Sequence, residues 1–379
     1  MKTIRLENGG IVIGSGALEH LKTLDYHRCV VVTGGSSMER TGVLDRVRQY
    51  LAREDSSVCI HSGVGANPTT EQIEAGLATL RREAPDLVLA VGGGSAIDAA
   101  KIMVLFYEYP ELSFANVGSR PLPQKRTKTT FVAVPSTSGT GSEVTAAAVY
   151  TDTARKIKIP VKTPAIRPDL AILDPDLPMT MPASLAAETG MDALTHAIEA
   201  YVNHGLDPFT EVICRGAIEG LLRWLPEAVN EGTAEAREQV HYLQCMAGIS
   251  FANVGLGMVH GIAHSFGGKF NIAHGLANAV ILPYAMRYNS RDPKVREKLE
   301  RLGRYTGGDV IAQVEELKRT LNIPDSFQSV IPEEDFRDNY GPLVEYALQT
   351  GTLANPVPMT YPEMEKMVNA VYYGTQIDW

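Results

Sequence analysis

Asp192 and His196 of MDALTHAIEAY, His260 of GMVHGIAHSFGG and His274 of IAHGLANAVILPY lie in one stretch of the chain and share one chemical capacity. A carboxylate and three neutral imidazoles suit a divalent transition ion, and no cysteine stands near them to compete for it. An Asp and a His four residues apart on a helix project from one face, so a single helix supplies two of these groups. Histidines on apolar helices are ordinarily satisfied core residues, and the chain has nine histidines. His20, His27, His61, His204 and His241 show no partner and read as structural or surface groups. His260 and His264 share a helix face four residues apart, and His274 precedes a glycine at a helix start. Jointly with the Asp192–His196 pair, a ligand set is the better explanation, and the expectation is an enzyme with a metal in its active site.

The elements that must position these groups belong to an ordinary globular chain. Its 379 residues are enough for two domains, each with a real core. The balance of 44 acids against 35 Lys and Arg, with no basic run, argues against a nucleic-acid partner. Cys29, Cys59, Cys214 and Cys245 are scattered without CxxC spacing and read as reduced and buried. The start MKTIRLENGG lacks the apolar core of a signal peptide. The apolar tract 241–288 is interrupted by Gly, His and Asn too often for a membrane span. A cytoplasmic location with no membrane partner follows as the expectation.

The first half alternates β-branched runs with helical patterns. Residues 29–35, 57–61, 87–91, 131–134 and 171–173 read as strands, with helices over 43–51, 70–82 and 96–106. Strands spaced by helices of this length predict a parallel sheet with both faces covered. Beyond about Pro178 the strand signal stops. Met191, Leu194, Ile198 and Tyr201 follow helical spacing, as do later segments out to Val371. The predicted organisation is an α/β domain over 1–178 followed by a helical domain over 179–379. The proline-containing segment 324–360 says least.

Two loops in the first half could hold phosphate. The strand 87–91 runs into Gly92-Gly93-Gly94-Ser95 and then a helix, which presents unpaired N–H groups at the positive end of a helix dipole. Asp98 and Lys101 follow on that helix. The GxGxxG spacing of the usual dinucleotide fingerprint is absent, so this loop alone is a weak signal. The second loop, PSTSGTGSEVT over 135–145, is dense in hydroxyls and glycine and also follows a strand. Two such loops at carboxyl ends of strands point to a crevice of the kind where open α/β sheets bind nucleotides.

GGGSAIDAAK, PSTSGTGSEVT, GMDALTHAIEAY and the HxxxH…HG pattern at 260–275 resemble the iron-containing (group III) alcohol dehydrogenases. The likeness runs from SGAL (15–18) through GANPTTEQIEAG (65–76) to NPVPMTYPEMEKMV (355–368). It implies a Rossmann-like nucleotide domain, a helical domain of dehydroquinate synthase-like architecture, and an active site in the cleft between them. By this resemblance Asp192, His196, His260 and His274 match the metal ligands, and His264 matches a histidine close to the reacting centre. Gly93, Gly94, Ser95 and Asp98 fall on the pyrophosphate loop, and Asn67, Thr137, Ser138, Thr140 and Lys158 on positions near the dinucleotide. Lys158 also belongs to the charge run Arg155-Lys156-Ile157-Lys158. Fe(II) is the metal the resemblance implies, with Zn or Mn able to use the same donors, and the assembly it suggests is a homodimer.

One departure from the family bears on the cofactor. Many relatives carry an Asp after the first main strand, where it receives the adenosine ribose hydroxyls. Here the stretch reads Thr33-Gly34-Gly35-Ser36-Ser37, with Glu39 the nearest acid. An acid there repels a 2′-phosphate and small donors accept one, so Gly34, Gly35, Ser36 and Ser37 predict NADP(H) over NAD(H). The expected reaction is hydride transfer between a primary alcohol or aldehyde and NAD(P)(H), with His264 relaying the proton. Two alternatives share the architecture: a zinc-dependent polyol dehydrogenase of the glycerol type and a dehydroquinate synthase-like lyase. The lyase needs several cations for a phosphorylated acid, and near the predicted metal only Lys269 is evident. Nothing names the alcohol; Phe251, Leu256, Phe266 and Tyr361 are candidate apolar lining.

Overall fold

The computed structural model describes residues 9–155, 157–351 and 354–379. The start MKTIRLEN and Lys156 of the charge run lie outside the described residues. The chain divides into two compact units, Met1–Met181 and Pro182–Trp379.

The first unit is built on β1 (Gly10–Ile13), β2 (Arg28–Thr33), β3 (Ser57–His61), β4 (Leu87–Gly92), β5 (Thr130–Pro135) and β8 (Leu170–Leu173). They form one six-stranded sheet in the order β1-β8-β5-β4-β2-β3. Every pairing in it is parallel. Strands buried on both faces need apolar residues at every position, and β4 is buried throughout. Alternation then splits the core in two. Val30, Val32, Val88, Ala90, Phe131 and Ala133 pack with helical residues such as Ile73, Leu77, Ile97 and Met103. Val31, Leu87, Leu89, Val91, Val132 and Val134 pack on the other face with Val43, Leu44, Val47 and Leu51. The connecting helices are α1 (Ser37–Arg40), α2 (Val43–Leu51), α3 (Thr70–Glu83) and α4 (Gly94–Glu108).

The periodicity located the central strands to within a residue or two and missed three others. Edge strand β1, Gly-Ile-Val-Ile, is only four residues long, and none of them is fully buried. The antiparallel hairpin of β6 (Ala147–Asp152) and β7 (Ile157–Lys162) holds Lys158, Pro160 and Lys162, which masks its strand pattern.

In the second unit the described elements are helical. They are α5 (Ala183–Val202), α6 (Pro208–Asn230), α7 (Ala234–Val254), α8 (Met258–Phe270), α9 (His274–Asn289), α10 (Pro293–Thr306), α11 (Val310–Thr320), α12 (Glu333–Gly351) and α13 (Tyr361–Tyr373). α5 is the central helix, packed against α6, α7 and α9, and Met191, Leu194, Ile198 and Tyr201 are all buried in it. α8 packs against α9 and α12. α12 occupies the segment whose sequence was least informative, with Pro342 inside it. Among the described residues no single helix is long and apolar enough to cross a membrane.

Candidate functional site

Three helices of the second unit bring the predicted ligands together. Asp192 and His196 sit one turn apart on α5, His260 in the first turn of α8, and His274 opens α9. His196 Nε2 and His260 Nε2 each stand 3.9 Å from Asp192 Oδ1, and His274 Nε2 stands 3.8 Å from it. Asp192, His260 and His274 form the tightest group, with ligand atoms within 4.8 Å of one another. His196 flanks that group, its ring stacked between His260 at 4.7 Å and Phe251 at 4.4 Å.

Glycine makes two of these approaches possible. A β-carbon on Gly275 would run into the carbonyl oxygen of Glu188, so the HG pair is what lets α9 start against α5. A β-carbon on Gly257 would lie 3.0 Å from Glu199 Oε1, at the start of α8. Glu199 uses that space. Its Oε1 accepts the Val259 N–H at 2.7 Å, capping α8 at its positive end. Its Oε2 stands 2.6 Å from His260 Nδ1. A proton on Nδ1 leaves the Nε2 lone pair facing Asp192, the arrangement in which a carboxylate orients a metal-binding imidazole.

Asn278, one turn after His274 on α9, completes the surround. Its Nδ2 donates to Asp192 Oδ1 at 2.6 Å and stands 3.2 Å from Nε2 of both His260 and His274. Neither Glu199 nor Asn278 was singled out from sequence. The signal was present, because Glu199 is three residues beyond His196 and Asn278 four beyond His274, both helical same-face spacings.

Burial governs the charges here. It raises the Asp192 carboxyl above its ordinary range, against the opposing pull of His196 and the Asn278 hydrogen bond. It lifts Glu199 to about 7 despite the N–H groups of Gly257 and Val259. It pushes His260 well below the ordinary imidazole value, with His196 and His264 adding to the effect. No Lys or Arg pairs with Asp192 among the described residues; its polar neighbours are three imidazoles and the Asn278 amide. A divalent cation is the group that such a donor set fits, since it compensates the carboxylate and uses the three lone pairs.

His264 lies against the set without belonging to it. Its ring stacks on His274 at 5.2 Å and meets His260 edge-on at 6.2 Å. Of the proposed lining residues, Phe266 is a core residue stacked on Phe327 at 4.4 Å, and Tyr361 is exposed.

In the first unit most of the predicted cofactor residues follow the carboxyl ends of β2, β4 and β5, which are neighbours in the sheet, while Asn67 follows β3, Asp98 lies in α4 and Lys158 in β7. Gly93 and Gly94 are packed under the second loop. A β-carbon on Gly94 would lie 2.6 Å from Thr140, and one on Gly93 would lie 3.3 Å from Thr137. Ser138 is buried in the same loop. Ser95 Oγ receives the backbone N–H of Asn67, whose Oδ1 in turn receives Lys158 Nζ at 2.8 Å. Gly34 and Gly35 follow β2 into Ser36, and Ser37 begins α1. Glu39 faces Arg48 at 3.3 Å. Asp98 is engaged within the fold, accepting from Ser142 Oγ at 2.6 Å and the Val149 N–H at 2.9 Å. Lys101, read beside it from sequence, is buried and donates to Ser142, Thr145 and Ala147.

A parallel α/β unit with glycine-rich strand ends, joined to a helical unit holding a carboxylate and imidazole cluster, defines a metal-dependent nucleotide-linked enzyme. Comparison with known proteins makes the class specific. The iron-containing alcohol dehydrogenase model matches residues 8–175, and the carboxyl-terminal model of the same family matches 186–372. The chain is 41% identical to an NADPH-dependent butanol dehydrogenase of Clostridium saccharobutylicum, over 97% of this chain and 98% of that one. It is 36% identical to an alcohol dehydrogenase of Thermococcus barophilus, over 96% and 97%. The iron-containing alcohol dehydrogenase of Thermococcus thioreducens superposes with a TM-score of 0.92 at 37% identity, covering 99% of this chain and 100% of that one. The chain belongs to the iron-containing alcohol dehydrogenase family. It is an oxidoreductase of alcohols and aldehydes, which sets the lyase alternative aside.

Proposed function

We propose that this alcohol dehydrogenase interconverts primary alcohols and aldehydes with NADP(H), using one divalent ion, Fe(II) by preference, held by Asp192, His196, His260 and His274. The observation that carries the reading is a single buried carboxylate oxygen 3.8–3.9 Å from three imidazole nitrogens. Zn(II) and Mn(II) suit the same donors. In this reading residues 1–178 bind the dinucleotide and 179–379 hold the metal.

A divalent ion bound there supplies Lewis acidity, lowering the pKa of an alcohol and polarising an aldehyde. The chain does the rest. Glu199 keeps His260 Nδ1 protonated and its Nε2 turned inward. Gly93, Gly94 and Ser95 with Thr137, Ser138 and Thr140 hold the pyrophosphate, and Asn67 and Lys158 the neighbouring ribose. His264 moves the proton between the substrate oxygen and solvent through its ring nitrogen, for which its ring stacking on His274 is the support. His264→Ala is expected to lower turnover by about a hundredfold while metal content stays at the parent level. Unchanged turnover at full metal occupancy rejects the relay.

For the cofactor, Gly34, Gly35, Ser36 and Ser37 offer small donors to a 2′-phosphate, and Glu39 is drawn to Arg48. The Clostridium relative named for NADPH dependence supports the same preference. The specificity constant is expected to favour NADPH over NADH by roughly tenfold or more, and Gly35→Asp is expected to erase that margin, worth about 1.4 kcal/mol. An advantage for NADH in the parent protein overturns the preference.

The setting in this reading is a cytoplasmic homodimer. Free thiols at Cys29, Cys59 and Cys214 suit a reducing compartment.

A further inference from the structure

Asn278 is wholly buried beside the carboxylate and imidazole cluster, and its two amide ends have opposite fates. Nδ2 donates to Asp192 Oδ1 at 2.6 Å and lies 3.2 Å from the Nε2 atoms of both His260 and His274. Oδ1 is buried with no hydrogen-bond partner among the described residues. The orientation follows from chemistry rather than convention. Exchanging the two ends would press an amide oxygen against the Asp192 carboxylate oxygen, with no proton to share. Only the amide nitrogen is tolerable there, and it is the same convergence of acceptors that would surround a cation.

We propose that Asn278 is a positioning residue of the metal site. Its amide fixes the Asp192 carboxylate and selects the histidine tautomers that leave Nε2 of His260 and His274 unprotonated and inward. One N–H is committed to Asp192 Oδ1, and the other is shared between the two imidazoles. Glu199 acts from the opposite side of His260, accepting a hydrogen bond from its Nδ1–H at 2.6 Å. Between them, the amide and the carboxylate define both nitrogens of that ring before any ion arrives. An ion held by Asp192, His260 and His274 would take up their lone pairs, with Asn278 having set their orientation beforehand. The cost of leaving the Asn278 oxygen unpaired is the mark of a residue placed for its nitrogen.

This inference rests on the metal reading above, and its test separates the two. Parent protein and the Asn278→Leu and Asn278→Ala variants are stripped with chelator and titrated with Co(II) against a competing chromophoric chelator. The cobalt absorption spectrum is recorded at saturation. Both variants are expected to bind Co(II) about 10- to 100-fold more weakly than the parent, with a changed spectrum. Variants that match the parent within twofold, with an identical spectrum, overturn the role of Asn278. Failure of the parent itself to bind the ion removes the metal reading instead. A second measurement needs no variant: nitrogen NMR of the stripped parent with labelled histidine. His260 and His274 are expected as Nδ1–H tautomers, and Nε2–H at either overturns the proposal.

Discussion

Asp192→Ala is expected to abolish alcohol oxidation and aldehyde reduction while leaving the stripped protein at least as stable as the parent. The opposite signs come from one cause. Asp192 is a buried carboxylate whose neighbours are imidazoles and the Asn278 amide, with no Lys or Arg paired to it among the described residues. Folding without a cation therefore carries the desolvation of that charge, or the raised pKa that burial imposes. Removing the carboxyl removes the penalty, and Asn278 keeps His260 and His274 as acceptors. Function loses much more than stability gains. Metal-ion stabilisation of a developing alkoxide is worth several kcal/mol, so turnover should fall by ~10³ or more. Metal analysis, steady-state rates and a denaturant midpoint on the two proteins read all three effects. A variant that retains both metal and turnover would contradict the assignment of Asp192.

The second large effect belongs to the first unit. Lys101 is wholly buried on α4, and its ammonium donates to Ser142 Oγ at 2.8 Å, Thr145 Oγ1 at 3.0 Å and the Ala147 carbonyl at 2.8 Å. Burial lowers its pKa to about 8, with Asp98 and Glu143 pulling it back up. Asp98 on the same helix holds Ser142 and the Val149 N–H, so the two side chains together tie the helix behind GGGS to the loop after β5. Lys101→Ala leaves Asp98 without a nearby cation and three acceptors without their donor. Leaving buried hydrogen-bonding groups unsatisfied costs about 1–3 kcal/mol. The variant is expected to unfold at a lower urea midpoint by that amount, with weaker dinucleotide binding because Thr137 and Thr140 lose their support. A loss below about 1 kcal/mol would mean that water replaces the ammonium there.

The sheet and most of its helices were legible because parallel strands covered on both faces must be apolar at nearly every position. β4 is the clearest case, buried from Leu87 to Gly92. β1 and the β6–β7 hairpin were not legible, for all three strands are short and half-exposed and β7 is interrupted by lysine and proline. At the site, the four ligand types and the Asp192–His196 spacing could be read directly. Their convergence could not, since it depends on α8 and α9 meeting α5 through Gly257 and Gly275. Glu199 and Asn278 escaped notice because a polar residue on an apolar helix has no recognisable role until its partner is known. Asp98 and Lys101 show the converse. Both were read beside a phosphate loop, and both turn out to be spent within the fold that shapes it.

In the proposed site one carboxylate and three imidazoles hold the ion on which turnover depends. The direct measurement is an anaerobic titration of chelator-stripped protein with Fe(II), following NADPH consumption with butanal as substrate. Negligible rate without metal, a linear return, and saturation at about one ion per chain are expected. Stripped protein that turns over as fast as reloaded protein would contradict that dependence.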